Sequence, residues 1–284
     1  MINWFTGHMN IAVKAISKIL KEIDLVIEVL DSRAVLSSTN ILLRNLIKDK
    51  PKLIILNKCD LSDPDITNSW VNFFAQKDNY FVLTRAKHDN NPQSIIKVCK
   101  TIVPNRNSYI KPLRIMIAGV PNVGKSTIIN MLNKKNIAQV ANWPGVTKSN
   151  QLVYIDSNLL LIDTPGLTWH KIEQQDVGYN LSLCNSIGIR AFDFYMLALY
   201  LLDYLNNNSN PNLLNSYQKL LKLRYNLSDS ELLMTNYELI EIIGRKRGCL
   251  MKANKVDLEK TSSLLVQDFR LAKIGRISLE TPNY

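Results

Sequence analysis

Cysteine is scarce in this sequence. Cys59, Cys99, Cys184 and Cys249 lie far apart and form no C-x-x-C pair. That spacing argues against a disulfide framework or a zinc site, and points to a reducing compartment. Long apolar runs are also missing. The longest strongly apolar stretch, Phe194 to Leu202 (FYMLALYLL), is flanked by Asp193 and Asp203. It is about half of what a bilayer requires, so no membrane span and no membrane partner are expected. Nothing repeats at a solenoid period. The N-terminal stretch carries Glu22 and Asp24 and reads neither as a signal peptide nor as an Arg/Ser-rich transit peptide. A bacterial cytoplasmic location is the expectation, with a mitochondrial homologue as second choice. Acidic residues are outnumbered, 24 Asp+Glu against 35 Lys+Arg, leaving a net charge of +11. A balance of that sign suits an anionic partner such as nucleotide or nucleic acid.

What is present is ordinary globular composition. The chain has 284 residues, 46% of them hydrophobic and 21% charged, enough for about two domains with real cores. Met9, Ala12, Val13, Ile16, Ile19, Leu20 and Ile23 recur at helical spacing and predict an amphipathic first helix. Short Ile/Leu/Val-rich runs follow at 25–31, 52–58, 80–84, 113–119 and 158–164. Helix-length stretches at 39–48, 64–77, 92–101 and 125–134 separate them. Such alternation predicts a doubly wound α/β fold with a mostly parallel sheet. Residues 151–156 stand one serine before the last run and suggest a hairpin with one antiparallel strand. Beyond about residue 170 helical periodicity takes over. The expected division is a first domain over 1–172 and a small all-helical domain over 173–284.

Three short motifs carry chemistry. Gly119 to Thr127 (GVPNVGKST) follows a predicted strand, opens a predicted helix and fits the phosphate-loop pattern. Its glycines let the backbone N–H groups from Asn122 through Val123, Gly124 and Lys125 to Ser126 and Thr127 wrap phosphates at a helix N-terminus. Lys125 would reach the β- and γ-phosphates, and the Ser126 hydroxyl would ligate Mg²⁺. Asp163 to Gly166 (DTPG) ends the next strong strand. There Asp163 would hold Mg²⁺, and the Gly166 N–H would bond the γ-phosphate and sense its loss. Between them Thr147 is the candidate switch threonine closing over Mg²⁺. Asn57 to Asp60 (NKCD) ends the 52–58 run. A carboxylate at Asp60 accepts N1–H and N2–H₂ of guanine, which adenine does not offer, so GTP is favoured over ATP. Asn57 would touch the base edge and the Lys58 stem would cover the ring.

The order of these boxes is inverted. The guanine box begins at 57 and the phosphate loop at 119. Both lie at strand C-terminal ends, where an open α/β sheet binds its ligand, so the chain reads as a circularly permuted GTPase. With WFTGHM (4–9), LDSR (30–33), PGVT (144–147) and KRGCLM (246–251) added to the three boxes, the sequence resembles the YlqF/RbgA-type family of circularly permuted GTPases, ribosome biogenesis GTPase A. The resemblance runs nearly end to end. It implies a GTP-hydrolysing factor in late assembly of the large ribosomal (50S) subunit, with rRNA and ribosomal proteins as partners and a monomeric protein. It also implies a catalytic His8 from the N-terminal motif, since Leu167 follows DTPG where many GTPases place a water-orienting glutamine. Asn122 implies a K⁺ site beside the phosphates. Thr6 replaces the family's usual proline, Trp143 replaces its usual arginine, and the box that usually reads Ser-Ala is here Thr84-Arg85 or Arg85-Ala86.

Residues 244–276 hold nine basic side chains, among them Lys246 and Arg247, and form the candidate rRNA-contacting stretch. A rival reading makes the chain a GTP-gated ribosome- or RNA-binding module with negligible hydrolysis. A weaker one places it in RNA modification or membrane traffic.

Overall fold

The computed structural model describes residues 2–3, 16–47, 50–77, 79–89, 92–106, 110–133, 152–156, 159–163, 171–172, 174–187 and 193–282. The chain forms two compact units, Met1–Asp60 with Pro64–Glu173 and Glu280–Tyr284, and Leu61–Asp63 with Gln174–Leu279.

The first unit is built on a six-stranded sheet. Its strands are β2 (Leu25–Asp31), β3 (Lys52–Asn57), β4 (Tyr80–Thr84), β5 (Leu113–Ala118), β6 (Leu152–Asp156) and β7 (Leu159–Asp163), in the order β4-β3-β2-β5-β7-β6. The first five are parallel and β6 runs antiparallel to β7, as the hairpin reading expects. A separate two-stranded pairing joins β1 (Ile2–Asn3) to β8 (Lys171–Ile172). β2 is buried at every position, because a central parallel strand is covered on both faces. Helices α2 (Val35–Ser38), α3 (Ile41–Leu46), α4 (Pro64–Gln76), α5 (Gln93–Ile102) and α6 (Lys125–Asn133) connect the strands. The described part of the first helix, α1, is 16–20. Its Ile16, Ile19 and Leu20 join Val26, Leu43, Met116 and Leu160 in one apolar cluster, so this part of the expected apolar face is buried against the sheet; Met9, Ala12 and Val13 lie outside the described residues.

From β2 the chain winds outward through β3 to β4, and from β5 it winds the other way to β7. The reversal lies between β2 and β5. A crevice opens at such a switch point, outside the carboxyl ends of the strands.

The second unit holds α7 (Gln175–Leu183), α8 (Phe194–Asn206), α9 (Pro211–Tyr225), α10 (Asp229–Leu232), α11 (Asn236–Lys246) and α12 (Leu258–Arg270). The apolar 194–202 run puts one face into its core. Leu197, Ala198, Leu201 and Leu202 on α8 are fully buried with Tyr217, Leu239, Ile243, Leu265 and Phe269. Helix starts follow local chemistry. Asp193, Asn210 and Asp257 cap with their side chains, and Ser228 and Thr235 each form a capping box with a glutamate three residues on. Gly244 permits the α11–α12 contact, since a Cβ there would stand 2.4 Å from Val256 Cγ1 and 2.6 Å from Thr261 Oγ1.

None of the four cysteines is in a disulfide, and burial pushes the Cys99 thiol up to about 12. Among the described residues no helix is long and apolar enough to cross a membrane.

Candidate nucleotide site

The phosphate loop leaves β5 at Ala118 and enters α6 at Lys125. Its path requires two glycines. A Cβ on Gly119 would lie 2.5 Å from the Val29 carbonyl oxygen of β2. Gly124 has φ +104°, and a Cβ there would stand 2.2 Å from Asn57 Nδ2. Asn122 adopts the left-handed region at φ +58°, a conformation its short amide side chain tolerates, and it is exposed. Lys125 is buried, and its ammonium donates to the Gly119 and Val120 carbonyls at 3.1 and 3.0 Å. Ser126 and Thr127 are exposed in the first turn of α6, and Val123 is buried beneath the loop.

The guanine box sits two strands away, at the tip of β3. Asn57 is buried, and its side chain is committed to protein. Nδ2 donates to the Val123 carbonyl at 2.7 Å; Oδ1 accepts from the Thr84 hydroxyl at 2.9 Å and the Ala86 N–H at 3.0 Å. Asn57 thus ties the phosphate loop to the loop after β4, and the second N–H of the same amide is left for the expected contact with the base edge. Thr84 and Ala86 turn inward to Asn57, while Arg85 bonds Asp89. Asp60 is partly exposed, with His88 Nε2 3.7 Å from its carboxylate.

Lys58 has φ +62°, and its Nζ bonds Asp31 Oδ2 at 2.8 Å. Asp31, at the tip of β2 and in register with Asn57, also takes both forks of Arg33 at 2.9 Å. Burial opposes charge on Asp31, but Arg33 and Lys58 outweigh it and hold the carboxyl well below the usual carboxylate range. The Asp31 N–H donates to Ser38 Oγ in α2. Glu280 closes the other end of that helix, accepting from the Leu36 and Ser37 N–H groups and the Ser37 hydroxyl. Roles for Asp31, Arg33, His88 and Glu280 are absent from the motif reading. An acid at a strand tip beside the guanine box was the available signal for Asp31; Glu280, 243 residues from Ser37, had none.

Asp163 ends β7 in register with Ile117 of β5, one strand from the phosphate loop. Its side chain, and His8, Thr147, Gly166 and Leu167, lie outside the described residues. Among the described residues no three His, Cys, Asp or Glu side chains converge as a metal cluster. A hydroxyl at Ser126 and a carboxylate at Asp163 are hard oxygen donors, the set expected where phosphates and water complete a Mg²⁺ shell.

A phosphate loop after β5, a guanine box after β3, and a switch point between them define a P-loop GTPase with permuted boxes. The family model described as a 50S ribosome-binding GTPase matches residues 114–235, starting in β5, so the NKCD box precedes the matched stretch. Ribosome biogenesis GTPase A of Bacillus cereus is 37% identical over 99% of this chain and 94% of its own length. The probable ribosome biogenesis GTPase A of Mycoplasma genitalium is 29% identical over 98% of this chain and 96% of its own. The crystal structure of GNP-bound YlqF from T. maritima superposes with a TM-score of 0.66 at 24% identity, covering 96% of this chain and 98% of that one, and shares the fold. The chain belongs to the ribosome biogenesis GTPase A family. It is a GTP-hydrolysing enzyme with a role in ribosome assembly, and GTP is its substrate.

Proposed function

We propose that this GTPase acts late in assembly of the large (50S) ribosomal subunit. The GTP-bound form docks on the immature particle, and hydrolysis on the particle releases it. The observation that carries the GTP-dependent part of this reading is the Asn57 tie, which joins the guanine box to the phosphate loop despite their inverted order in the chain. The B. cereus relative and the 50S ribosome-binding model that matches residues 114–235 support it.

In this reading Lys125 trades its Gly119 and Val120 carbonyls for β- and γ-phosphate oxygens, and Asp60 takes the guanine N–H groups. Ser126 and Asp163, with Thr147, would hold Mg²⁺, which would supply positive charge to the phosphates, and Asn122 would hold K⁺. The Gly166 N–H meets the γ-phosphate, and His8 orients the attacking water. The protein works as a cytoplasmic monomer.

In the unit of Gln174–Leu279, several basic side chains of 244–276 are spent internally. Lys246 bonds Glu231 and the Asn226 carbonyl; Arg270 bonds the Ser182 and Leu183 carbonyls; Arg276 bonds Ser62. The Arg247 guanidinium lies over Tyr225. Exposed Lys252 and Lys255, on the turn around left-handed Ala253 and Asn254, are the better rRNA contacts in this reading.

The deciding experiment is GTP turnover in K⁺ buffer with and without purified large subunits, with ATP as control. Stimulation for GTP alone is expected. No stimulation, with GTP still bound, would overturn the assembly role.

A further inference from the structure

A second charged site lies in the same unit as the phosphate loop, away from the nucleotide crevice. A cleft of about 170 Å³ opens where α2, α3, β3 and α4 meet. Leu36, Arg44, Lys52, Trp70, Phe73 and Lys77 line it. Among the described residues, three cations and no carboxylate face the cavity. Two acids stand near it and both are taken: Glu28 of β2 is buried and accepts from Arg44 Nε at 3.2 Å, and Glu280 accepts from the Leu36 and Ser37 N–H groups.

Lys52 is the unusual member. It is half-buried, and burial together with the neighbouring Arg44 lowers its pKa, with Glu28 only partly restoring it. An ammonium in that position lacks a full counter-charge, and an incoming anion would supply one. At the mouth Lys77 holds its Nζ 4.0 Å from the centroid of the Phe73 ring. Phe73 packs edge-on against Trp70 at 5.4 Å, so the ammonium rests on a fixed aromatic wall. Cations above an apolar wall suit a phosphate carrying a sugar. The site is separate from the guanine box. Lys52 begins β3 and Asn57 ends it, a separation of about 16 Å along the strand.

We propose that this cleft seats one phosphodiester of an RNA strand, its phosphate between Lys52 and Lys77 and its ribose against Phe73. The occupant rests on the ribosome-assembly reading above and on charge. Residues 1–170 hold 21 Lys+Arg against 12 Asp+Glu, and RNA offers one negative charge per nucleotide.

The test uses the full-length protein and a short fluorescein-labelled oligouridylate, with anisotropy read across a KCl series. Three proteins are compared: wild type, Lys52→Met with Lys77→Met, and Lys52→Arg with Lys77→Arg. Methionine keeps the apolar stems and removes the charges. Loss of one phosphate contact should flatten the slope of log K against log salt by about 0.7 and weaken binding about fivefold near 0.1 M salt. The arginine pair should retain wild-type affinity. GTP affinity should be equal in all three, which also shows that the variants fold. Equal oligonucleotide affinity and slope in the methionine pair would overturn the proposal, as would a wild type that does not bind the oligonucleotide. A cleft that takes only free inorganic phosphate would give the same equality and would overturn it too. Subunit-stimulated turnover of the wild type, run in parallel, separates the two readings. Stimulation with unchanged oligonucleotide binding sinks the cleft alone; absent stimulation sinks the ribosomal role and with it this occupant.

Discussion

Asn57 donates through Nδ2 to the carbonyl of Val123, 66 residues further along the chain, at 2.7 Å. Its Oδ1 accepts from the Thr84 hydroxyl and the Ala86 N–H, so one buried amide spans three loops at the edge of the sheet. The loop that recognises the base and the loop that holds phosphates therefore share a support.

Replacing Asn57 by Ala should disturb both. It strands the buried Thr84 hydroxyl, the Ala86 N–H and the Val123 carbonyl. An unsatisfied buried polar group costs about 1–3 kcal/mol, and part of that is recovered by relaxation or water. A loss of about 2–3 kcal/mol in urea unfolding is expected, together with weaker binding of a fluorescent GTP analogue. Wild-type values in both assays would count against the shared support.

Asp60 should govern base choice. It is partly exposed and stands beside His88. Removing the carboxylate with Asp60→Ala deletes two charge-assisted hydrogen bonds to guanine, a cost of about 3 kcal/mol or roughly a hundredfold in GTP affinity. ATP binding should stay as weak as before. Competition titration with the two nucleotides reads this directly, and an unchanged GTP preference would remove Asp60 from the site.

Asp31 should contribute an acid-dependent part of stability. Its folded carboxyl is depressed, while in the unfolded chain it titrates near 3.9. The stabilisation is present above that unfolded value and is lost as pH falls from about 4 toward the lower folded value. Below about pH 4 wild-type stability should rise with pH more steeply than that of Asp31→Asn, because the unfolded state binds a proton the folded state does not. Unfolding measured between about pH 2 and 5 checks the slope. Parallel curves would mean that Asp31 does not couple to folding.

Gly244 should report on the helical unit alone. An added methyl collides with Val256 and Thr261, so Gly244→Ala should cost about 1–3 kcal/mol by overpacking. GTP affinity should be untouched. A stabilised variant would show that α11 and α12 have room to separate.

His8→Ala separates chemistry from binding. If His8 orients the attacking water, subunit-stimulated turnover should fall by about 10² to 10⁴ while GTP affinity persists. Full stimulation in the variant would assign the motif a structural role.

Much of this architecture was legible in the residues. The β2, β3 and α4 spans match the apolar runs and helical periods closely, because buried parallel strands and one-sided helices print their burial into local sequence. The phosphate loop and NKCD were legible for a different reason: their spacing is set by the shape of the ligand. Burial of the FYMLALYLL stretch was legible only as an apolar run too short for a bilayer; that it forms the core helix of the second unit came from packing.

By itself, the sequence determined the order of the boxes, the parallel sheet that gathers them at its carboxyl edge, and the family to which the chain belongs. These rest on local pattern and short spacing. Only the tertiary structure decided that Asn57 serves the phosphate loop, that Asp31 is shared by Arg33 and Lys58, and that Glu280 caps α2. It also decided that Lys246 and Arg270 are spent on internal partners while Lys252 and Lys255 remain exposed. A polar side chain's role depends on which groups burial brings to it, and most of those partners stand tens to hundreds of residues away, where no periodicity can announce them.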